Sequence, residues 1–94
     1  MKRNKSPLQT GWQRRLPQPI KLRDGHVIET MEQAAGIMTM RLPKRRQLTP
    51  VWQKTAAMFM QAHESGKHDD LDHAASQLQR ALHSEGWADP NGFY

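Results

Sequence analysis

The chain has no cysteine among its 94 residues. That absence removes disulfides, thiolate metal sites and a cysteine nucleophile together, so any stability has to come from packing. Aromatic residues are scarce at 6%, and hydrophobic residues reach only 36%, concentrated between Pro19 and Trp87. A chain of this length and leanness builds one small core and not two. Long apolar runs are missing as well. None approaches the roughly 20 residues that cross a bilayer, and Met1 to Arg15 holds only isolated apolar positions, unlike a secretory leader. The expectation is a cytoplasmic protein without a membrane partner.

Charge is present but uneven. The net charge is +5. Residues 1–54 carry 12 Lys/Arg against 3 Asp/Glu, whereas residues 55–94 carry 2 against 6. A basic half of this kind is drawn to nucleic acid or to an acidic protein surface, and the two unlike halves also suit head-to-tail self-association.

Residues 1–16 show neither helical nor strand periodicity and read as a flexible basic arm, in which Trp12 either folds back onto the domain or meets a partner. From Pro19 the pattern alternates. Ile20 and Leu22 oppose Lys21 and Arg23, and Val27 and Ile28 resume after Asp24-Gly25, a signature of a hairpin closed by a type I′ turn. Pro17 and Pro19 should confine the first strand to an edge or a late start.

Three helices follow. Thr30 and Gln33 form a capping box ahead of an apolar stripe of Met31, Ala34, Ala35, Met38 and Leu42, with Pro43 as the stop. Gly36 inside it costs about 1 kcal/mol relative to Ala, so another element is expected to approach there. Thr49-Pro50 opens a second helix reaching about Ser65. Its apolar residues cover more than half its circumference, and it should be the most buried. Asp69 or Asp70 caps a third, with Leu71, Ala74, Ala75, Leu78, Ala81 and Leu82 on one face and Gly86 at its end, where Trp87 can fold back. The predicted class is α+β, an N-terminal hairpin packed with three helices in the order ββααα. The domain spans residues 17–88, and residues 89–94 form a C-terminal tail.

The stretch from Pro19 to Trp87 resembles the small bacterial family known as domain of unknown function 982. The likeness rests on the hairpin PIKLRDGHVI, the helix TMEQAAGIM, the break at Leu42-Pro43, the segment AMFMQAHESG and the closing Ala81 and Glu85 to Trp87. This resemblance implies a compact α+β fold, and it transfers no activity, cofactor or catalytic residue.

Of the candidate sites, a basic patch comes first: Arg41, Lys44, Arg45 and Arg46, joined by Lys54 and by Arg14 and Arg15 of the arm. Arginine grips phosphate or carboxylate with a planar fork of donors, although solubility and helix C-capping also explain such clusters. No helix-turn-helix, RNA-binding aromatic motif or zinc finger accompanies the charges, so base reading is not expected. Trp52, Phe59 and Met60, lying on more than one side of the second helix, are interface candidates together with Trp12. The methionines 31, 38, 40, 58 and 60 could line an adaptable partner groove or fill the core.

His63, His68 and His73 recur every five residues, which matches neither one helix face nor a zinc pattern. An Asp69 to His73 pair is the plainer account, and no metal or other cofactor is expected. Ser65, Ser76 and Ser84 lack a nucleophile-elbow context, and Gly25, Gly36 and Gly66 are too isolated for a phosphate loop. The expectation is therefore a non-enzymatic binding protein with no small-molecule substrate. Its partner would be another protein or a second copy, the alternative being nucleic acid held without sequence preference.

Overall fold

The hairpin forms at the expected place with a different turn. In the computed structural model, which describes residues 12–93, strand β1 (Arg15–Leu22) and strand β2 (Val27–Thr30) pair antiparallel. Gly25 N donates to Leu22 O at 3.0 Å, closing a turn over Arg23-Asp24, and Gly25 itself takes φ 96°. Only the glycine needs the left-handed region, so this is a three-residue loop with a glycine bulge and not a two-residue type I′ turn. Asp24 Oδ1 accepts from His26 N at 2.9 Å and locks the bend.

A third strand, β3 (Ala88–Phe93), pairs antiparallel with β1, giving the sheet order β2-β1-β3. The expected tail thus enters the sheet, and β1 is central; of the edge or late start that its prolines argued for, the late start is what is seen, regular pairing resuming at Ile20. The prolines are accommodated by an irregularity. Residues 16–19 of β1 face only Glu29 between the pairs Arg15↔Thr30 and Ile20↔Ile28, so Pro17 and Pro19 owe no ladder bond. Residues 12–16 of the expected arm also join the fold. Leu16 is buried, and Arg14 O accepts from Met31 N at 2.9 Å. The rest of that arm, residues 1–11, lies outside the described residues.

Helix α1 (Met31–Gly36) begins with the predicted capping box complete in both directions. It then widens into a π-turn over Ile37–Arg41, where Leu42 N reaches Ile37 O at 3.1 Å. Ile37, Met38 and Leu42 are all buried in the core. Nothing lies within 4 Å of where a side chain on Gly36 would begin, so the close approach expected there does not occur.

A short helix, α2 (Lys44–Gln47), leads into α3 (Pro50–Ser65), which ends at Gly66 with φ 69°. Helix α4 (His68–Glu85) follows and ends at Gly86, where Trp87 N donates to Leu82 O at 3.0 Å and the indole packs on the core. The two long helices pack along each other, and α4 also lies against β1. Helix α4, not α3, is the most buried: Leu71, Ala74, Ala75, Gln77, Leu78, Ala81 and Leu82 are inside, against four residues of α3. With α4 covering one side only, the apolar surplus of Ala56, Ala57 and Met60 on α3 stays outside. The whole is an α+β fold, an N-terminal hairpin followed by helices, with a third strand added at the end.

Candidate functional site

The seven basic candidates divide by what already holds them. Arg14 Nη1 donates to Ala62 O at 3.4 Å, near the C-terminal end of α3, where the free carbonyls attract positive charge. Arg41 Nη2 meets Asp24 Oδ2 at 2.8 Å, and its guanidinium lies 5.7 Å over the Trp87 ring. Arg46 sends Nε and Nη2 to Glu85 Oε2 at 2.9 and 2.7 Å. Among the described residues, Arg15, Lys44, Arg45 and Lys54 are exposed with no carboxylate within ion-pair distance. The patch expected to grip a ligand with seven cations therefore leaves four uncommitted.

These internal pairs reset two carboxylates. The His26 backbone N–H and the Arg41 side chain hold the Asp24 carboxyl down at about 2. The Arg46 guanidinium lowers Glu85 below its ordinary value, helped by the Trp52 indole, and Glu85 raises Arg46 in return.

Two interface candidates are corrected. Trp52 is 2% exposed with Nε1 bonded to Glu85 Oε2 at 2.9 Å, and Phe59 is 0% exposed, both in the core. The α3 face that carries them is the one packed on α4, so neither can meet a partner. Trp12 is half-buried and stacks on His63 with ring centroids 4.8 Å apart. Met60 alone of the four stands clearly outside.

The histidines do not converge. His63 is occupied by Trp12, its Nδ1 buried without a hydrogen-bond partner among the described residues, while His68 faces Asp72 at 3.5 Å in place of the expected Asp69 to His73 pair. Among the described residues no three His, Asp or Glu side chains gather as metal ligands. His26 Nδ1 lies 3.0 Å from Asp24 on an exposed turn, and that carboxylate also serves Arg41. Nor, among the described residues, is any helix long and apolar enough to cross a membrane.

The methionine reading fares better, at one position. Met31 and Met38 are core and Met58 is half-buried, but Met40 is 84% exposed. It stands at the rim of a groove of about 340 Å³ between β2 and the α1/π-turn, lined by Val27, Ile28, Gln33, Gly36, Ile37 and Met40, with His26 and Arg41 alongside. The lining is almost wholly apolar, which a lone exposed side chain does not require. Gly36 contributes no side chain there, and the π-turn sets Ile37 inward while Met40 turns out. Of the residues forming this site, Met40 and Arg41 were the ones the sequence offered as candidate binding residues, while Val27, Ile28, Gln33 and Gly36 were read only as structural.

A second cleft, of about 420 Å³, is bordered by Pro17, Gln18, Asp72, Ala75, Ser76 and Gln79 and is more polar in its walls. The groove beside Met40 is the better candidate because its walls are the more apolar. Comparison of the chain with family models, curated proteins and solved structures returned no match.

Proposed function

We propose that this chain is a non-enzymatic, cytoplasmic protein-interaction domain that docks a partner protein in the groove between β2 and the π-turn. The observation that carries the reading is Met40, 84% exposed on the rim of an otherwise apolar groove. An unbranched thioether adapts its shape to whatever it covers, so it suits a docking rim better than a rigid wall. Lys44 and Arg45 follow Arg41 within a few residues, so on chain length alone they lie within about 11–14 Å of it, and neither has an ion-pair partner among the described residues. An apolar slot beside uncommitted cations fits an acidic protein. The resemblance to domain of unknown function 982 adds a fold and no activity, which is compatible with this role.

The nucleic-acid alternative is weakened by the same geometry. Binding along a phosphate backbone draws on several free cations, and Arg14, Arg41 and Arg46 direct donors inward.

Selection of a random peptide library on the immobilised full chain tests the proposal. Enriched sequences should combine apolar and acidic residues, lose binding on Met40→Asp and keep it on Met60→Asp. Indifference to Met40→Asp would sink the reading. So would tight binding of nonspecific duplex DNA whose salt dependence flattens when Lys44 and Arg45 are replaced by alanine.

A further inference from the structure

We infer that the groove takes its partner as an added β-strand, an extended acidic segment laid antiparallel along the outer edge of β2. This rests on the reading of the groove as a protein-docking site and specifies how the partner is held.

β2 is an edge of the sheet. Leu22 N donates to His26 O at 2.8 Å, and Ile20 stands opposite Ile28. Bonded residues alternate along an antiparallel ladder, so His26 and Ile28 face β1 while Val27 and Glu29 direct their backbone groups outward. The Glu29 N–H is already taken by Gln33 Oε1 at 2.6 Å. Among the described residues this leaves the N–H and C=O pair of Val27 and the carbonyl of Glu29 unpaired, with neither lysine nor proline at Val27 or Ile28 to guard the edge. One incoming residue set opposite Val27 can exchange both bonds with it.

Val27 also walls the groove. A strand bonded to Val27 sends alternate side chains toward Ile37 and Met40, where the missing side chain of Gly36 leaves room. Backbone bonds then give affinity and the groove selects the side chain.

Charge fixes the occupant. Arg41, already paired with Asp24, lines the groove beside Val27 and leads to Lys44 and Arg45, which have no ion-pair partner among the described residues, whereas Glu29 and exposed Glu32 lie at the other end of β2. An antiparallel segment runs from the Glu29 end toward the His26 end. Its acidic residues therefore belong on the C-terminal side of its apolar anchor, away from the glutamates.

The test uses the full chain, labelled with ¹⁵N and at methionine and isoleucine methyls, titrated with the blocked peptide acetyl-TVTLTEDE-amide. Saturation should slow hydrogen exchange of the Val27 amide by about tenfold, the protection conferred by one hydrogen bond, and shift the Met40 and Ile37 methyls. A peptide N-methylated at the leucine keeps every side chain and should bind about tenfold more weakly, and one with EDE replaced by KKK should bind weakly as well. Methyl shifts without Val27 protection, with the N-methylated peptide binding equally, would overturn strand addition and leave the docking groove standing. No shift at Met40 or Ile37 with any peptide would remove the groove itself. Concentration-dependent protection of Val27 in the free chain would replace the acidic segment by a second copy.

Discussion

Replacing Glu85 should expose how much of this small fold hangs on one carboxylate. Its Oε2 receives Arg46 Nε, Arg46 Nη2 and Trp52 Nε1 at 2.7 to 2.9 Å, tying α2 and the start of α3 to the end of α4. Trp52 is 2% exposed, so removing the acceptor strands an indole N–H where water cannot replace it. That costs about 1–3 kcal/mol. For a domain of this size a loss of about 2 kcal/mol lowers Tm by roughly 10 °C. Glu85→Ala should show the full loss in thermal unfolding followed by circular dichroism, and Glu85→Gln, which keeps an acceptor oxygen, about half of it. The decisive measurement is a double-mutant cycle. In a Trp52→Phe background the donor is gone, so Glu85→Ala should cost about 1 kcal/mol less than in the parent. Equal costs in both backgrounds would refute the pin. The pH dependence has a defined sign. The Glu85 carboxyl is held below its ordinary value in the folded state, so its contribution is complete above the ordinary glutamate range and is lost as pH falls through the lowered folded value. Glu85→Gln should remove that part of the acid limb.

Asp24 should titrate at about 2 by carboxyl NMR, and Arg41→Ala should bring it back toward the ordinary aspartate value. As its folded pKa is lowered, this group favours the hairpin above the ordinary range and stops doing so as pH drops toward 2. Phe59→Ala should cost about 3–5 kcal/mol in urea unfolding, whereas Met60→Ala should stay within about 0.5 kcal/mol. Comparable losses would mean that the α3 faces are misassigned. Gly36→Ala should raise stability by up to about 1 kcal/mol, because its φ of −60° is helical and its Cβ position is open. A loss would restore the close approach that the sequence suggested.

The peptide selection already described bears on function alone, since Met40 makes no core contact that its loss would remove. Asp24 and Glu85 act on the scaffold, and their variants should leave the groove in place.

What the sequence determined by itself was local. The Thr30-Gln33 capping box, the glycine ends at Gly66 and Gly86 and the α4 stripe from Leu71 to Leu82 all follow from residues a few positions apart and formed as read, and the hairpin around Gly25 formed in place with a longer turn. Tertiary structure decided whatever depended on a distant partner. β3 exists because β1 has a free side, and its Pro90 and Asn91-Gly92 read as tail without that partner. Trp52 and Phe59 are buried because α4 covers their face and leaves Met60 uncovered. Arginines that looked available were claimed by Asp24, Ala62 and Glu85, acceptors 17 to 48 residues away in the chain. The groove lay beyond local reading for the same reason: its walls come from a sheet edge and a π-turn, and only their packing makes an apolar surface into a slot.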